Sequence, residues 1–537
     1  MGRSRDTSNK NDKRGRAGHK NTTGTRHHLS FGLTTLAAAF LIGCQSMPAQ
    51  QPHTAMPQAA ALKQSAPWWQ EAKDPVLDEL LHEAVQRNVD VRRALTQLRQ
   101  AEALSGASHS ALFPSVGLAG AAVKSQSTLP EFVKRNRADT EALQLSAELE
   151  WQLDVFGALR AKRRAAQSQT KAAGYAVHAS KLAVSEALAT QYYQWQAASA
   201  KEQVLSKLLQ NLKDTQVLTQ ALVNEGMAGT QVLKPVAAQT LATQAALKQI
   251  RALKRMSQSR IAVLLGQSPV SFQIQLVELT PAQWPKLGSS PVELDPALLL
   301  RRPDVLAAQM QLEASAFELS EAKALQFPQF FASAVYGTED LTINGLDIRQ
   351  ANFSNLALSF AMPLINRGQI KANIRAKTAQ EQSALIDYEA RLLGALEDTD
   401  TALAAAKADS VRTGQLSLAL TSRISAYEHA KTVYEAGESS RFEVRESERE
   451  ALSAELELID AAQAAATNWV RLHVALGGSW QQFDAAKGPV LKPNMTNQES
   501  VQTLLKSFEV LNSPHYQQQD PFESTAPAGA STEPRIP

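Results

Sequence analysis

Two kinds of hydrophobic spacing alternate along the chain, and each occurs twice. Between 143 and 153 the apolar residues fall on every second position: Leu143, Leu145, Ala147, Leu149, Trp151 and Leu153, with Gln144, Ser146, Glu148, Glu150 and Gln152 between them. A second row, Leu356, Leu358, Phe360, Met362 and Leu364, alternates with Ala357, Ser359 and Ala361. A period of two puts apolar side chains on one face of a strand and small or polar ones on the other. Each row has a partner segment opened by Phe-Pro, so strands are expected at about 114–125 with 143–155, and at about 328–338 with 353–364. Strands of about ten residues cross a bilayer when tilted. A soluble hairpin packed on helices is the other reading of the same alternation.

After each strand pair the texture changes. Residues 158–225 contain no Pro and one Gly, Gly174, and residues 369–436 contain no Pro and two Gly, Gly394 and Gly414. Both stretches are rich in Ala, Gln, Leu, Lys and Glu, which are strong helix formers. An unbroken helix of that length reaches about 100 Å and must pack against neighbours, which predicts a coiled-coil-like bundle. Each stretch ends near a glycine, Gly226 or Gly437, and a shorter helical stretch follows. The expectation is two antiparallel helical hairpins, 157–266 and 368–477, with their tips at Gly226 and Gly437.

The two halves are copies of one unit. Gly157, Gly226 and Gly266 return as Gly368, Gly437 and Gly477, each at a spacing of 211. Phe113-Pro114 returns as Phe327-Pro328 at 214, and at that offset Arg87-Asn88-Val89-Asp90-Val91 faces Arg301-Arg302-Pro303-Asp304-Val305. Duplication divides the chain into a first repeat, 68–266, a Pro-rich joining segment, 267–297, and a second repeat, 298–480. The tail, 481–537, is rich in Pro, Gln, Ser and Thr and is read as partly disordered. Four strands cannot close a barrel, and an unclosed sheet cannot stand in hydrocarbon, so closure requires several subunits.

Composition adds an address. Residues 1–28 carry eight Lys/Arg against two Asp, and a 14-residue apolar run, 29–42, follows them. That run is too short for a stable spanning helix and fits the core of a signal peptide, 1–43. It ends in Leu41-Ile42-Gly43-Cys44, and Cys44 is the only cysteine. The motif resembles the bacterial lipobox, in which the cysteine carries lipid at the start of the mature chain; a buried core cysteine is the other reading. Residues 44–67 then form a linker. Gln45 rather than Asp behind the cysteine implies sorting to the outer membrane of a Gram-negative cell.

The formal charge is +3, and with +6 in residues 1–28 the remainder carries −3. An acidic body gives a nucleic acid nothing to bind. The sequence has no Walker, H-E-x-x-H or G-x-S-x-G motif, and its histidines beyond residue 44 are well separated. No catalytic residue, metal site or cofactor is expected.

The run Leu299-Leu300-Arg301-Arg302-Pro303-Asp304-Val305, then Ala307-Ala308 and Phe327-Pro328, resembles the signature of the outer-membrane efflux proteins, in particular the lipoprotein (NodT-like) branch of the TolC-like family. The resemblance runs from about Trp68 to Trp480. It implies an α+β membrane protein, a homotrimer whose four strands per subunit make a twelve-stranded β-barrel continued by a long α-helical periplasmic barrel. It further implies an exit duct for drugs or other toxic small molecules, fed by an inner-membrane RND-type transporter through a periplasmic adaptor, with outer-membrane lipid around the strands. Metal ions, secreted polypeptides, or a periplasm-spanning scaffold without a pore are the alternatives.

In the signature, Pro303 and Asp304 suit the first turn of a helix, and Arg301 and Arg302 are expected to tie that start to carboxylates or backbone. The family carries acidic residues six and nine positions past the second tip glycine, where they form rings at the periplasmic constriction. The matching residues here are Glu443 and Glu446, with Arg445 between them and Val232 and Pro235 at the corresponding sites of the first tip. A solvated charged helix face is the plainer reading of the same pair. Both tips, around Gly226 and Gly437, are candidate adaptor contacts.

Overall fold

The computed structural model describes residues 68–126, 130, 139–272, 278–286, 296–343, 346–478 and 480. Cys44, the signal and linker segments and the tail from 481 lie outside them. All described residues fall within one compact unit.

In chain order the elements are α1 (Trp68–Glu71), α2 (Pro75–Arg87), α3 (Val89–Ser110), β1 (Ser115–Ser125), β2 (Thr140–Leu153), α4 (Ala158–Asn224) and α5 (Leu233–Leu264), followed by α6 (Pro303–Ala324), β3 (Gln329–Ile343), β4 (Leu346–Ala361), α7 (Arg367–Glu435) and α8 (Arg441–Ala475). The 67 residues of α4 and the 69 of α7 make each about 100 Å long. α4 turns back as α5 and α7 as α8. Each tip closes on a left-handed glycine: Gly226 has φ +70° and Gly437 φ +79°. Met227 N–H donates to the Leu222 carbonyl at 2.9 Å, and Glu438 N–H to Val433 at 3.0 Å. Both bonds satisfy helix-terminal carbonyls that have no partner within the helix.

The third glycine pair differs. Gly157 is left-handed, φ +81°, and precedes α4, whereas Gly368 lies inside the first turn of α7 with no such φ. At that point the repeat holds in sequence but not in backbone.

The strands form one antiparallel sheet in the order β1-β2-β3-β4, leaving β1 and β4 as its edges. Their limits differ from those expected. β2 starts three residues earlier than the apolar row, at Thr140, and β3 and β4 form a hairpin of 15 and 16 residues joined across 344–345. The extension runs through polar Thr338, Glu339, Asp340 and Thr342 opposite Asp347 and Asn352. Ladder pairing continues there beyond the apolar row from which the limits were read.

The main core sits where the short segments clamp the long helices. Trp68, Leu77 and Leu81 pack with Leu188, Tyr192 and Tyr193 of α4, Ile261 of α5, Ile459 and Trp469 of α8, and Phe272 and Trp284 of the joining segment. A buried polar chain runs through it. Leu279 N–H donates to Gln196 Oε1 at 2.9 Å, Gln196 Nε2 to the Tyr192 hydroxyl at 2.9 Å, and that hydroxyl to Asp74 Oδ2 at 2.6 Å. Asp74 in turn caps α2 by accepting from Val76 and Leu77 N–H. Among the described residues no helix is long and apolar enough to cross a membrane.

Candidate functional site

Register gathers apolar residues on one face of all four strands toward the helical end, while Thr338, Asp340, Asn352 and Ser354 interrupt the same face farther out on the second hairpin. Leu149 lies opposite Val116 and Ala334, Ala147 opposite Leu118 and Tyr336, and Ala334 and Ala332 opposite Leu356 and Leu358. These side chains stand in the open: Leu118 is 82% exposed, Leu356 84% and Phe360 72%. From Leu143 to Leu153 the strand advances about 33 Å, and at a tilt of about 40° the apolar row of β2 is about 25 Å high, the height of a barrel's lipid-facing belt. At the helical end the band closes in aromatic residues. Phe156 and Phe327 stack at 4.9 Å, Phe330 and Phe360 lie 6.2 Å apart, and Trp151 Nε1 donates to the Leu112 carbonyl at 3.0 Å.

The opposite face carries Gln144, Ser146, Glu148, Glu150, Gln152, Ser333, Asn355 and Ser359. Gly337 sits there beneath the Phe353 ring, where an added Cβ would meet that ring at 2.6 Å and the Leu145 carbonyl at 2.7 Å. A bare backbone lets the aromatic cover the sheet.

Below the strands, helices of the same repeat meet end to end along each long helix. Asn88, which begins α3, donates to the Leu264 carbonyl at the end of α5 at 2.9 Å and caps its own helix by accepting from Asp90 N–H at 2.8 Å. Arg302, which begins α6, donates to the Ala475 carbonyl at the end of α8 at 3.3 Å. Its guanidinium also holds Asp304 and Asp398, each at 2.9 Å. Pro303 opens α6 and Asp304 lies in its first turn, while the Arg301 carbonyl accepts from Trp480 Nε1 at 3.0 Å. Beside Arg302, Glu186 lies 3.8 Å from Arg471, and burial together with Asp398 pushes its carboxyl up from the ordinary range against the pull of Arg471 and Arg302.

At the second tip, Ser440 caps α8 by accepting from Glu443 N–H at 3.3 Å. Glu443 and Glu446 are both exposed and three residues apart, so they share a helix face. They are not equivalent. Glu446 is paired with Arg449, whose guanidinium burial holds below its usual pKa, while Glu443 has no cation within ion-pairing distance among the described residues. Arg445 turns away to Asp214 of α4 at 2.9 Å and to Glu448 at 2.8 Å. Asn211 of α4 donates to the Arg445 carbonyl at 3.1 Å and to Glu448 at 2.6 Å. The two hairpins are thus latched just above the second tip. Sequence reasoning did not find this latch, because its halves lie more than 200 positions apart. The first tip differs in exposing Met227 and Val232.

An apolar strand face with open sheet edges, carried on helices about 100 Å long, defines a subunit of a β-barrel channel with a helical extension. Known proteins agree. The pattern of the family described as outer membrane efflux protein matches residues 80–267 and 296–478, and the chain belongs to that family. A cation efflux system protein, CusC, of Escherichia coli is 24% identical over 457 residues, covering 83% of this chain and 98% of its own. Outer membrane protein OprJ of Pseudomonas aeruginosa is 26% identical, covering 84% and 97%. Among solved structures, the outer-membrane channel OprN superposes with a TM-score of 0.68 at 27% identity, over 80% of this chain and 98% of its own. VceC of Vibrio cholerae superposes at 0.66 and 23% identity. The protein is an efflux channel of the Gram-negative outer membrane.

Proposed function

We propose that the chain is the exit duct of a tripartite efflux system, a homotrimer that passively conducts drugs or other toxic small molecules outward. An inner-membrane RND-type transporter supplies the energy and a periplasmic adaptor engages the tips around Gly226 and Gly437. The observation that carries the reading is the four-stranded sheet, apolar on one face and unpaired at both edges, continuing into the long hairpins. Such a sheet is stable in hydrocarbon only when further copies close it. α7 supports the same assembly, because Ile386 and Leu393, and Val411 and Leu418, lie exposed at heptad spacing where a neighbouring subunit can cover them. Lipid on Cys44 anchors the chain at the membrane it spans.

Glu443 and Glu446 form the acidic constriction of this duct. With Glu446 balanced by Arg449, the unbalanced charge is that of Glu443. Planar-bilayer recordings of the detergent-extracted oligomer test the reading. A small cation-selective conductance is expected, with selectivity falling in Glu443→Gln and little affected by Glu446→Gln. Equal selectivity in wild type and both variants removes the gate assignment, and a folded monomer without conductance removes the duct.

A further inference from the structure

The two long helices both begin with clusters of basic residues. The helix dipole favours acidic residues in a first turn, and like charges four apart repel. α2, α3, α6 and α8 follow the rule with Asp78, Asp90, Asp304 and Glu443. α7 has no acid in the first turn, and α4 has none within it but takes the preceding Asp154 carboxylate on its Leu159 and Arg160 N–H groups at 3.0 and 2.9 Å. α5 lacks one too but starts at a tip with a single Lys234. Residues 158–171 instead carry Arg160, Lys162, Arg163, Arg164 and Lys171, and residues 366–380 carry Arg367, Lys371, Arg375 and Lys377 with no acid. Farther along α7 the sign reverses: residues 381–409 hold seven Asp/Glu against Arg391 and Lys407.

Two of these positions are duplicated. Arg160 returns as Lys371 and Arg164 as Arg375, both at the 211 spacing of the tip glycines. All four are exposed. Arg160 pairs with the Asp154 carboxylate at 3.0 Å and donates to the Asp154 carbonyl at 3.1 Å, staying half exposed at the edge of the cluster, and Arg164 lies 5.8 Å over the Phe317 ring. Lys371 and Arg375 have no carboxylate within ion-pairing distance among the described residues. Lys377, by contrast, is spent internally on Glu318 at 2.7 Å.

Their height matters. The apolar band ends at Leu153, Phe330 and Phe360 and at the Phe156–Phe327 stack, and α4 begins within five residues of Leu153. Outside the hydrocarbon, the headgroup layer of each leaflet is about 5–8 Å deep. The four residues from Arg160 to Arg164 advance about 6 Å along the helix, so the pair spans that layer. Exposed basic residues at repeat-related positions in both long helices, three of them without a carboxylate partner among the described residues, point to an external partner for the charge.

We propose that Arg160/Arg164 and Lys371/Arg375 form a docking surface for the anionic phosphate headgroups of the periplasm-facing leaflet. Long basic side chains at a hydrocarbon edge reach phosphate while their stems stay on apolar surface.

Native mass spectrometry of the purified oligomer, exposed to equal phosphatidylglycerol and phosphatidylcholine in detergent, tests this. Wild type should retain phosphatidylglycerol about tenfold over phosphatidylcholine. The variant Arg164→Gln/Lys371→Gln/Arg375→Gln, which leaves the Arg160–Asp154 pair alone, should fall to within about twofold. Equal retention of the two lipids by wild type overturns the proposal, as does undiminished preference in the folded variant. Unchanged lipid retention with altered ion selectivity of the bilayer conductance also overturns it, because the charges then face the bore. Should the variant not assemble, wild type alone decides: the preference must weaken toward about 0.5 M salt, and its persistence there sinks the idea.

Discussion

The first and second repeats solve one mechanical problem with different chemistry. In each, a short helix must begin where the returning helix of the hairpin ends. The accepting carbonyls, Leu264 and Ala475, are related by 211 positions, and the donors, Asn88 and Arg302, by 214. In the first repeat the donor is a neutral amide, 3% exposed. In the second it is a guanidinium that also reaches Asp398, whose repeat-related position holds Ala187. A cleft of about 420 Å³ opens beside it, lined by Glu186, Arg302, Asp398 and Arg471. Backbone geometry was retained through the duplication while one joint stayed dry and the other became ionic.

The sharpest break in the comparison is expected at the glycines behind the joints. Gly266 and Gly477 are both left-handed, at φ +70° and +86°. A Cβ on Gly266 would stand 2.7 Å from the Arg87 carbonyl oxygen, whereas on Gly477 it would stand 3.5 Å from Arg302. Left-handed strain costs both alanine variants about 1–2 kcal/mol. Only Gly266→Ala also forces two backbones apart, for a total of about 3–4 kcal/mol. Thermal unfolding by circular dichroism should show the midpoint of Gly266→Ala falling at least about twice as far as that of Gly477→Ala. Equal shifts would mean that the dry joint is no tighter than the ionic one.

Acid separates the repeats next. His473 corresponds to Ala262 and packs against Trp469 at 4.5 Å and Trp68 at 6.3 Å. Burial lowers its pKa from 6.5 to about 4, although Glu71 lies 3.8 Å away. The depressed value means that the unfolded chain binds the proton first, so stability is intact above pH 6.5 and declines from there to about pH 4. The full loss is about 3 kcal/mol. His473→Gln should flatten this part of the stability profile, measured by denaturant titration between pH 7 and pH 4. A variant with the wild-type slope would place the acid sensitivity elsewhere.

The sequence disclosed the fold more fully than the site, for physical reasons. Alternation at 143–153 and two Pro-free stretches are local patterns, each legible because one strand or helix face repeats at a fixed period. In the β3–β4 extension the alternation changes phase, with Leu341 and Ile343 on the face of Ser146 and Asp340 on that of Leu143, and a register shift falls between Glu339 and Leu341. Gly226 and Gly437 were legible as turns because only a left-handed residue closes a helix that way. Gly368 matched the spacing of Gly157 and yet serves inside a helix. The latch of Arg445 on Asp214 joins different hairpins, and no local period records such a pair. Glu446 illustrates the same limit at shorter range: its offset from Gly437 marks its place on the helix, and its neutralisation by Arg449 depends on which rotamer the packed helix permits.

The gentlest contrast lies at the two donors themselves. Asn88→Ala removes a buried bond to Leu264 and the cap on Asp90 and Val91, leaving a buried carbonyl without a partner, which costs about 2 kcal/mol. Arg302→Met keeps the apolar stem and removes the bond to Ala475 and two ion pairs. Of these, Asp398 is 59% exposed and Asp304 30%, so water screens much of what is lost and the cost is about 1–2 kcal/mol. Salt distinguishes the two beyond magnitude. Near 1 M the Debye length is about 3 Å, so the ionic part of the Arg302 contribution should fade while the Asn88 contribution stands. Denaturant titrations of both variants at low and high salt read this directly. If Arg302→Met costs as much at 1 M as at about 0.05 M, the guanidinium acts at the joint through the Ala475 carbonyl alone, and the second repeat is as dry as the first.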